Sequence, residues 1–239
     1  AVFVWAEWAG ALAASMCDNS ARMAGGFCMR TLIAIAVLLI ASCTAIAQSP
    51  PALPPVAGPI EPKVLAKRGE DGMFHQTWAI TSFLDLREDF AEAKAGAKRF
   101  AVIFEQRGCI YCTKMHTEVL AQRYINDYVR ENFAIVQLDL FGAREVTDFD
   151  GTKVSEAKLA ERWGVQFTPT IVFFKDEIPA EKAAWGQALE VVRMSLGFGP
   201  ATFYDLFVWV RAKVYESDRN FQRFHVARMA ERGKTGVAE

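Results

Sequence analysis

The order of apolar and polar residues between 73 and 218 predicts a domain in which strands and helices first alternate and a strand hairpin then follows. Short unbroken apolar runs indicate buried strands, and apolar positions three or four residues apart indicate amphipathic helices. The predicted strands are 99–105, 133–140, 171–174 and 188–194. The predicted helices are 78–98, 109–131, 155–163 and 201–215. This order indicates an α/β fold with a mixed central sheet that is flanked by helices on both faces.

Residues at the ends of the predicted helices support their placement. Ser155 is a favourable N-cap for the helix over 155–163, and Gly164 follows its last residue. Pro200 suits the first turn of the last helix. The stretches 142–153 and 175–187 are predicted to be a polar loop and a polar connection. The core-facing positions predicted for the first and last helices are Phe83, Leu84, Leu86, Phe90 and Ala93, and Phe203, Leu206, Phe207 and Val210.

The segment 29–47 has the layout of a signal peptide. Arg30 provides a positive charge, the run 32–41 is wholly apolar, and small residues precede a cleavage site before Gln48. The apolar run is too short to span a bilayer alone. Cleavage would give an exported, periplasmic protein. An uncleaved membrane anchor is one alternative, and a lipoprotein is another, because Ile40-Ala41-Ser42-Cys43 resembles a lipobox in which Cys43 is the lipidated residue.

The composition of the remaining segments predicts their roles. Residues 1–28 fit no export pattern, and we expect them to be a non-native or mis-started extension. Residues 48–72 are rich in proline and are predicted to form an extended linker. The domain is predicted to occupy 73–218, and 219–239 to form a polar C-terminal tail or a short extra helix.

The overall composition excludes one class of function. Hydrophobic residues make up 52% of the chain and charged residues 23%, which is ordinary for a soluble globular protein. The formal net charge is −1, and no dense run of lysine and arginine is present, so we expect no nucleic-acid partner. We expect the protein to be a monomer.

Two cysteines three residues apart carry the candidate chemistry. Of the five cysteines, only Cys109 and Cys112 lie beyond the segment that we expect to be removed, and they sit where a predicted strand meets a predicted helix. A thiolate at a helix N-terminus is stabilised by the helix dipole and by free backbone N–H groups. A second thiol one turn later can resolve a mixed disulfide. The pattern therefore predicts thiol–disulfide exchange through a redox-active disulfide, with no further cofactor.

Other interpretations of the cysteine pair remain open. A structural disulfide would close too short a loop to stabilise the chain much. His116, one turn after Cys112, could complete a Cys2His site for copper or zinc, although zinc sites usually take four ligands. Attachment of haem is disfavoured, because Thr113 stands where a C-x-x-C-H motif requires histidine. Without a metal, His116 is expected to lie partly exposed on the first turns of the helix.

Several short motifs around the dithiol carry a family resemblance. They are Phe104-Glu105-Gln106, Cys109 and Cys112, Met115-His116, Glu118-Val119, the run 147–151, Gly164-Val165 and Thr168-Pro169-Thr170. Over about 77–224 the chain resembles the thioredoxin superfamily, most closely the exported thioredoxin-like group that includes the SoxW proteins of sulfur-oxidising bacteria. The resemblance implies a thioredoxin fold, a cis peptide bond before Pro169, and Cys109 and Cys112 as the attacking and resolving thiols. The residues that it implies for substrate binding are Thr168, Pro169, Ile110 and Tyr111.

Two departures from the family pattern limit what the resemblance implies. The dipeptide Ile110-Tyr111 is neither the Gly-Pro of cytosolic thioredoxins nor the Pro-His of strongly oxidising periplasmic enzymes, so the direction of electron flow does not transfer. Thioredoxins also carry a buried aspartate six residues before the first cysteine, where this chain has Ile103. Glu105, on the same strand face, is the candidate substitute for proton transfer; the alternative is a solvated carboxylate at a strand end.

The residues and the resemblance together predict an exported thiol–disulfide oxidoreductase that reduces protein disulfides. Its expected partners are protein thiol or disulfide substrates and, by analogy with the SoxW group, a membrane electron donor of the periplasmic reducing pathway. Sulfur-oxidation proteins and apocytochromes are candidate substrates on the same analogy. Three alternatives stay open: an oxidase that donates disulfides, a metal-binding module or metallochaperone, and a non-catalytic interaction domain.

Overall fold

A four-stranded mixed sheet lies at the centre of the computed structural model, which describes residues 52–178 and 185–235. The strands are β1 (Lys67–Arg68), β2 (Phe74–His75), β3 (Arg99–Glu105), β4 (Phe133–Asp139), β5 (Glu145–Thr147), β6 (Lys153–Ser155), β7 (Thr170–Phe174) and β8 (Glu190–Ser195). The helices are α1 (Leu86–Ala95), α2 (Ile110–Lys114), α3 (Arg123–Asn132), α4 (Glu156–Arg162), α5 (Gly186–Leu189), α6 (Pro200–Arg211), α7 (Val214–Ser217) and α8 (Phe221–Thr235). A π-helix, Met115–Val119, lies between α2 and α3.

The central sheet has the strand order β4-β3-β7-β8. β3 runs parallel to β4 and antiparallel to β7, and β8 pairs antiparallel with β7 as the predicted hairpin. The predicted mixed sheet is therefore confirmed, and the whole arrangement is the thioredoxin fold. Because Phe104 near the end of β3 pairs with Thr170 at the start of β7, the chain after β3 and the chain before β7 meet at one edge of the sheet.

Apolar side chains pack on both faces of the sheet, and this packing determines where the helices lie. One cluster joins α1 and α4 to the sheet, and the other joins α3 and α6 to its opposite face. Phe100 and Phe104 of β3 point into the first cluster, whereas Ala101 and Ile103 point into the second. Successive side chains of a strand alternate between faces, so an uninterrupted apolar run is what a strand buried on both faces requires.

The first predicted helix is shorter than its apolar pattern indicates. α1 begins after Asp85, whose side chain accepts hydrogen bonds from the backbone N–H groups of Arg87 and Glu88. Leu84, just before this cap, has a left-handed φ of 64°, and Phe83 is 99% exposed. The prediction that Phe83 faces the core is therefore wrong, because the helix begins only after its N-cap, Asp85, and Phe83 lies before it.

The predicted helix over 109–131 is interrupted. α2 passes into the π-helix, and α3 then starts as a separate helix. The backbone N–H groups of Arg123 and Tyr124, at the start of α3, donate to the carbonyls of Ile60 and Pro59. The preceding chain segment thus satisfies N–H groups at a helix start that have no partner within the helix.

The predicted connections contain short regular elements. The polar loop predicted over 142–153 contains β5, which pairs antiparallel with β6. α5 occupies the end of the connection predicted over 175–187, of which 179–184 lie outside the described residues. β8 consequently starts at Glu190 rather than at 188, and α6 ends at Arg211 rather than at 215.

The predicted proline-rich linker contacts the domain at several points in its described part, 52–72. Val56 is buried, and the Val64 N–H donates to the Ala121 carbonyl. Parts of the predicted extended linker are thus held against the domain. The predicted signal peptide, the extension over 1–28 and Cys43 lie outside the described residues. Within 52–178 and 185–235, no helix is both long and apolar enough to cross a membrane.

The predicted C-terminal tail forms a long helix over most of its length. α8 packs against α6, and Arg228 and Arg232 of α8 are buried where they bind Asp205. Arg228 also donates to the backbone carbonyls of Pro54 and Pro55. Of the two predictions for 219–239, the extra helix therefore describes 221–235 and the polar tail does not. Buried ion pairs join this helix to α6, and Phe221 and Phe224 pack against the core cluster beside them.

Candidate active site

The dithiol lies at the junction that the sequence predicted, between the end of β3 and the start of α2. Gly108 has a φ of 75°, a left-handed conformation that glycine adopts without strain, and it leads the chain into Cys109. Cys109 is the N-cap of α2, and its Sγ accepts a hydrogen bond from the backbone N–H of Cys112 at 2.9 Å. The two cysteines form a disulfide in the structure, with their Cα atoms 5.2 Å apart.

The loop before β7 faces the first cysteine. The carbonyl oxygen of Thr168 lies 3.5 Å from Cys109 Sγ, and the Thr168–Pro169 peptide bond is cis. The loop is anchored on both sides, because the Thr170 hydroxyl donates to the Phe167 carbonyl and the Leu196 N–H donates to the Pro169 carbonyl. The structure thus brings Thr168 and Pro169 beside the dithiol.

Exposed apolar side chains surround the dithiol. Ile110, between the cysteines, is 71% exposed, and Tyr111 is 53% exposed. Phe167, Leu196 and Phe198 are exposed on the neighbouring loops. Tyr111 and Pro169 line a cavity of about 470 Å³ that continues toward Leu196, Phe198 and the start of α6. Several large apolar side chains exposed together indicate a surface that contacts another molecule.

Glu105, the last residue of β3, is buried. It is 1% exposed, so the interpretation of a solvated strand-end carboxylate is wrong. One oxygen accepts hydrogen bonds from His116 at 2.9 Å and from Gln137 at 3.1 Å, and the other accepts from His116 at 3.1 Å. Glu105 also borders a cavity of about 160 Å³ that Cys109 and Cys112 line. Glu105 and the two cysteines thus border the same cavity.

His116 is buried, contrary to the prediction of a partly exposed position. It is 3% exposed, and its ring stacks on Phe74 of β2 with centroids 5.8 Å apart. The groups that cover it, Phe74, Gln76 and Glu105, come from other parts of the chain, so the helical pattern around His116 did not predict its burial.

The structure adds three buried or partly buried polar residues that the sequence did not single out. Gln76 Nε2 lies 3.1 Å from His116 Nδ1, Asn126 Nδ2 donates to Gln76, and Trp78 Nε1 donates to Asn126. Gln76 and Trp78 lie some 40 and 48 positions away from their partners in the chain. No motif spacing links them, so sequence patterns carried no signal for this network.

The alternative of a Cys2His metal site is not assembled. Both ring nitrogens of His116 face partners other than the cysteines, namely Gln76 and Glu105. Among the residues that the structure describes, no group of three or more histidine, cysteine, aspartate or glutamate side chains is arranged to hold a metal ion.

Comparison with known proteins finds a thioredoxin-like family model and several thioredoxin-fold structures. Residues 86–177 match the family model of the thioredoxin-like domain. The chain is similar to a thioredoxin-fold protein from Helicobacter pylori, with 18% identity, 71% of this chain and 95% of that chain covered, and a TM-score of 0.47. It is also similar to a thioredoxin from Thermus thermophilus (25% identity, 52% and 81% covered, TM-score 0.38) and to a structure described as DsbH oxidoreductase (17% identity, 61% and 95% covered, TM-score 0.37). No curated protein matches the chain significantly.

The class of protein follows from the dithiol and the domain around it. Cys109 and Cys112 form a disulfide at the strand–helix junction of a thioredoxin fold, within a segment that matches the thioredoxin-like domain. The chain is a thiol–disulfide oxidoreductase.

Proposed function

We propose that this oxidoreductase is an exported reductase of protein disulfides. The observation that carries the proposal is the position of Cys109: its Sγ accepts the Cys112 N–H, faces the Thr168 carbonyl and is ringed by exposed apolar side chains. A thiolate at this position gains a backbone hydrogen bond, and the apolar ring provides a surface on which a polypeptide substrate can lie.

The reaction transfers two electrons from the dithiol to the substrate disulfide. The Cys109 thiolate attacks one substrate sulfur, the substrate S–S bond breaks, and the first substrate thiol leaves. Cys112 then loses its proton, and its thiolate attacks Cys109 Sγ. The mixed disulfide breaks, the second substrate thiol leaves, and the Cys109–Cys112 disulfide remains. Each departing substrate thiolate takes up one proton.

The substrate lies against the loop before β7. Pro169 has no N–H, and it leaves the neighbouring backbone of Thr168 free to pair with an extended segment that brings a disulfide to Cys109. Ile110 and Tyr111 contact the residues next to the substrate cysteine. The cavity of about 470 Å³ that Tyr111 and Pro169 line accommodates a side chain of that segment.

Glu105 accepts the proton that Cys112 releases. Its carboxylate and Cys112 line the same cavity of about 160 Å³, which has room for water molecules between them. A thiol must lose its proton before it becomes a nucleophile, so a buried base beside Cys112 accelerates the resolving step.

Export and electron supply follow from the resemblance to the SoxW group. A bacterial periplasm is kept oxidising, so a reductase there depends on a membrane electron donor to return its disulfide to the dithiol. Mass spectrometry of the mature N-terminus tests export: Gln48 as first residue supports a free periplasmic protein, a diacylated Cys43 supports a lipoprotein, and an unprocessed chain contradicts both.

The reduction potential of the Cys109/Cys112 pair tests the direction of electron flow. The protein is equilibrated in thiol redox buffers and the free thiols are counted by alkylation and mass spectrometry. A potential near about −270 mV, as in thioredoxin, supports a reductase. A potential near about −120 mV overturns this direction and makes the protein a disulfide donor.

Trapping of mixed disulfides tests the exchange chemistry itself. Cys112→Ser removes the resolving thiol, so covalent adducts with substrate proteins should accumulate on Cys109 in cells. Cys109→Ser is the matched control and should trap none. An equal absence of adducts from both variants would contradict a role in protein disulfide exchange.

A further inference from the structure

A continuous chain of hydrogen-bonded side chains leads from Trp78 to the carboxylate of Glu105. Trp78 Nε1 donates to Asn126 Oδ1 at 3.0 Å, and Asn126 Nδ2 donates to Gln76 Oε1 at 3.1 Å. Gln76 Nε2 lies 3.1 Å from His116 Nδ1, and His116 Nε2 lies 2.9 Å from Glu105 Oε1. All but Trp78 are fully buried, so bulk water does not compete for these bonds.

The first link of this chain determines the direction of every later one. An indole N–H can only donate, so the Asn126 atom that faces Trp78 must be the oxygen. Asn126 Nδ2 also donates to the Leu120 carbonyl at 2.8 Å, and a carbonyl can only accept. The two anchors agree, so the partners themselves orient the Asn126 amide. Gln76 must then present its oxygen to Asn126 and its nitrogen to His116.

We infer that this network of hydrogen bonds holds His116 as the neutral imidazole with its proton on Nε2, so that Glu105, the proton acceptor of the proposed function, has an uncharged partner. The amide nitrogen of Gln76 donates to Nδ1 and leaves no place for a proton there. If Nδ1 carried a proton, its N–H would face the amide N–H of Gln76, and two donors would meet. If the Gln76 amide turned over to avoid this, its N–H would face the amide N–H of Asn126 instead. An unpaired buried donor of this kind is unfavourable.

Few other charged groups reach the pair. The cavity of about 30 Å³ beside it is lined, among the described residues, by apolar and amide-bearing side chains apart from Glu105 and His116 themselves. The cavity of about 160 Å³ on the dithiol side brings Arg68, Cys109 and Cys112 toward Glu105. Cys112 is therefore the proton donor that shares a space with the carboxylate and does not share one with His116.

Where it concerns Cys112, this inference rests on the proposed disulfide exchange. It then specifies that the proton released by Cys112 goes to Glu105 and not to His116. Cys112 gives its proton to Glu105, directly or through water in the cavity, and the thiolate then attacks Cys109 Sγ. The bond between Cys109 and the substrate breaks, and the substrate leaves as a thiolate. His116 is a positioning residue: it keeps one N–H on the carboxylate and takes up no proton itself.

Nitrogen-15 NMR of histidine-labelled full-length protein tests the protonation state of His116 without any turnover. We expect well-separated Nδ1 and Nε2 signals, with the proton on Nε2, at about neutral pH. The spectrum of His116→Gln identifies the signals among those of His75 and His225. An imidazolium signal, or a proton on Nδ1, would overturn the inference.

Two variants of Gln76 separate charge from packing. Gln76→Glu offers an acceptor to Nδ1 and should convert His116 to the imidazolium, whereas Gln76→Leu offers none and should leave it neutral. A carboxylate beside an imidazolium is a weaker base, so release of substrate from the mixed disulfide should be about tenfold slower in Gln76→Glu than in Gln76→Leu. Quenched-flow alkylation measures this step. A neutral His116 in both variants, or equal rates, would count against the inference.

The two kinds of measurement also separate this inference from the proposed function. If the wild-type protein exchanges no disulfides, the proposed function fails, while NMR still decides the state of His116. If it exchanges disulfides but His116 is an imidazolium, the assignment of the proton fails and the proposed function stands.

Discussion

Two buried carboxylates, Glu105 beside the dithiol and Asp205 on α6, are held in contrasting ways. Asp205 accepts hydrogen bonds from Arg228 Nε at 2.6 Å, from both terminal nitrogens of Arg232 at 2.7 Å and from His225 at 2.8 Å. Glu105 accepts bonds only from His116 and Gln137, and no arginine or lysine in the described part of the chain bonds to it. The first carboxylate has two permanently charged partners and the second has none.

In our proposal, this difference separates a structural carboxylate from one that exchanges a proton. Burial raises the pKa of Asp205, but hydrogen bonds from Arg232, Arg228 and His225 outweigh it and hold the pKa below its ordinary value. Asp205 thus stays charged and joins α6 to α8. Glu105 lacks such compensation and opens onto the cavity that holds Cys112. A buried group with incomplete charge compensation beside a reactive pair is suited to proton transfer.

The largest expected effect is the loss of stability in Asp205→Asn. The amide leaves Arg228 and Arg232 buried without a counter-charge, so the free energy of unfolding should fall by about 3–5 kcal/mol. Urea unfolding followed by tryptophan fluorescence measures this loss. The rate of disulfide exchange per folded molecule should not change.

A matched control is Asp218→Asn, which breaks the exposed pair of Asp218 with Arg223. An exposed ion pair contributes about 0–1 kcal/mol, so this variant should be nearly as stable as the wild type. If Asp205→Asn lost no more stability than Asp218→Asn, the structural role of Asp205 would be refuted.

Glu105→Gln should show the opposite pattern. The amide keeps an oxygen for the His116 N–H but accepts no proton, so release of substrate from the mixed disulfide should slow by about 10²-fold, or about 2.7 kcal/mol of activation free energy. Stability should stay equal or rise, because an uncompensated buried charge has been removed. Single-turnover reduction of a model disulfide and urea unfolding measure the two effects. Asp139→Asn, at the end of the adjacent strand, is the control and should change neither the rate of substrate release nor the stability. If Glu105→Gln slowed release and was also strongly destabilised, the proposed contrast between Glu105 and Asp205 would be contradicted.

The contrast also shows what the sequence could predict. The apolar run over 99–105 indicates a strand that is buried on both faces, and the cysteine pair after it marks the site. Both could be predicted because strand period and motif spacing are local properties of the sequence. Glu105 could be nominated from its place on the strand face. Its burial could not be inferred, since that depends on Gln137 of β4, which bonds to it, and on His116, which Phe74 of β2 covers.

Buried polar groups explain most of what the sequence did not predict. Arg228 and Arg232 resemble surface residues in a hydrophobic pattern, so their segment was predicted as a polar tail or a short extra helix outside the domain. Only the position of Asp205 on α6 shows why they are buried. His116 was misplaced for a related reason. The groups that bury it, Phe74, Gln76 and Glu105, lie in other parts of the chain, which its own helical pattern does not reveal.

Acid should remove the contribution of Asp205 progressively. Because its pKa in the folded protein is lowered, its ionised form stabilises the fold above the unfolded-state pKa of about 3.9, and this stability is lost as the pH falls through the folded-state value. Unfolding free energies measured from about pH 5 downward should therefore converge for wild type and Asp205→Asn. A difference that stays constant to the lowest pH at which the wild type folds would contradict the lowered pKa.

The smallest effect, in Arg228→Lys, tests whether the Asp205 cluster also holds the segment before the domain. Lysine keeps a positive charge near Asp205 but lacks the planar group with which Arg228 reaches the carbonyls of Pro54 and Pro55 as well. Loss of these bonds should lower the unfolding free energy by about 1–2 kcal/mol. Hydrogen exchange should quicken at the N–H groups of Arg123 and Tyr124, which donate to the same segment at Ile60 and Pro59, because a loosened segment exposes them. Unchanged exchange there would show that the segment is held by its apolar contacts alone, and that the Asp205 cluster acts only between α6 and α8.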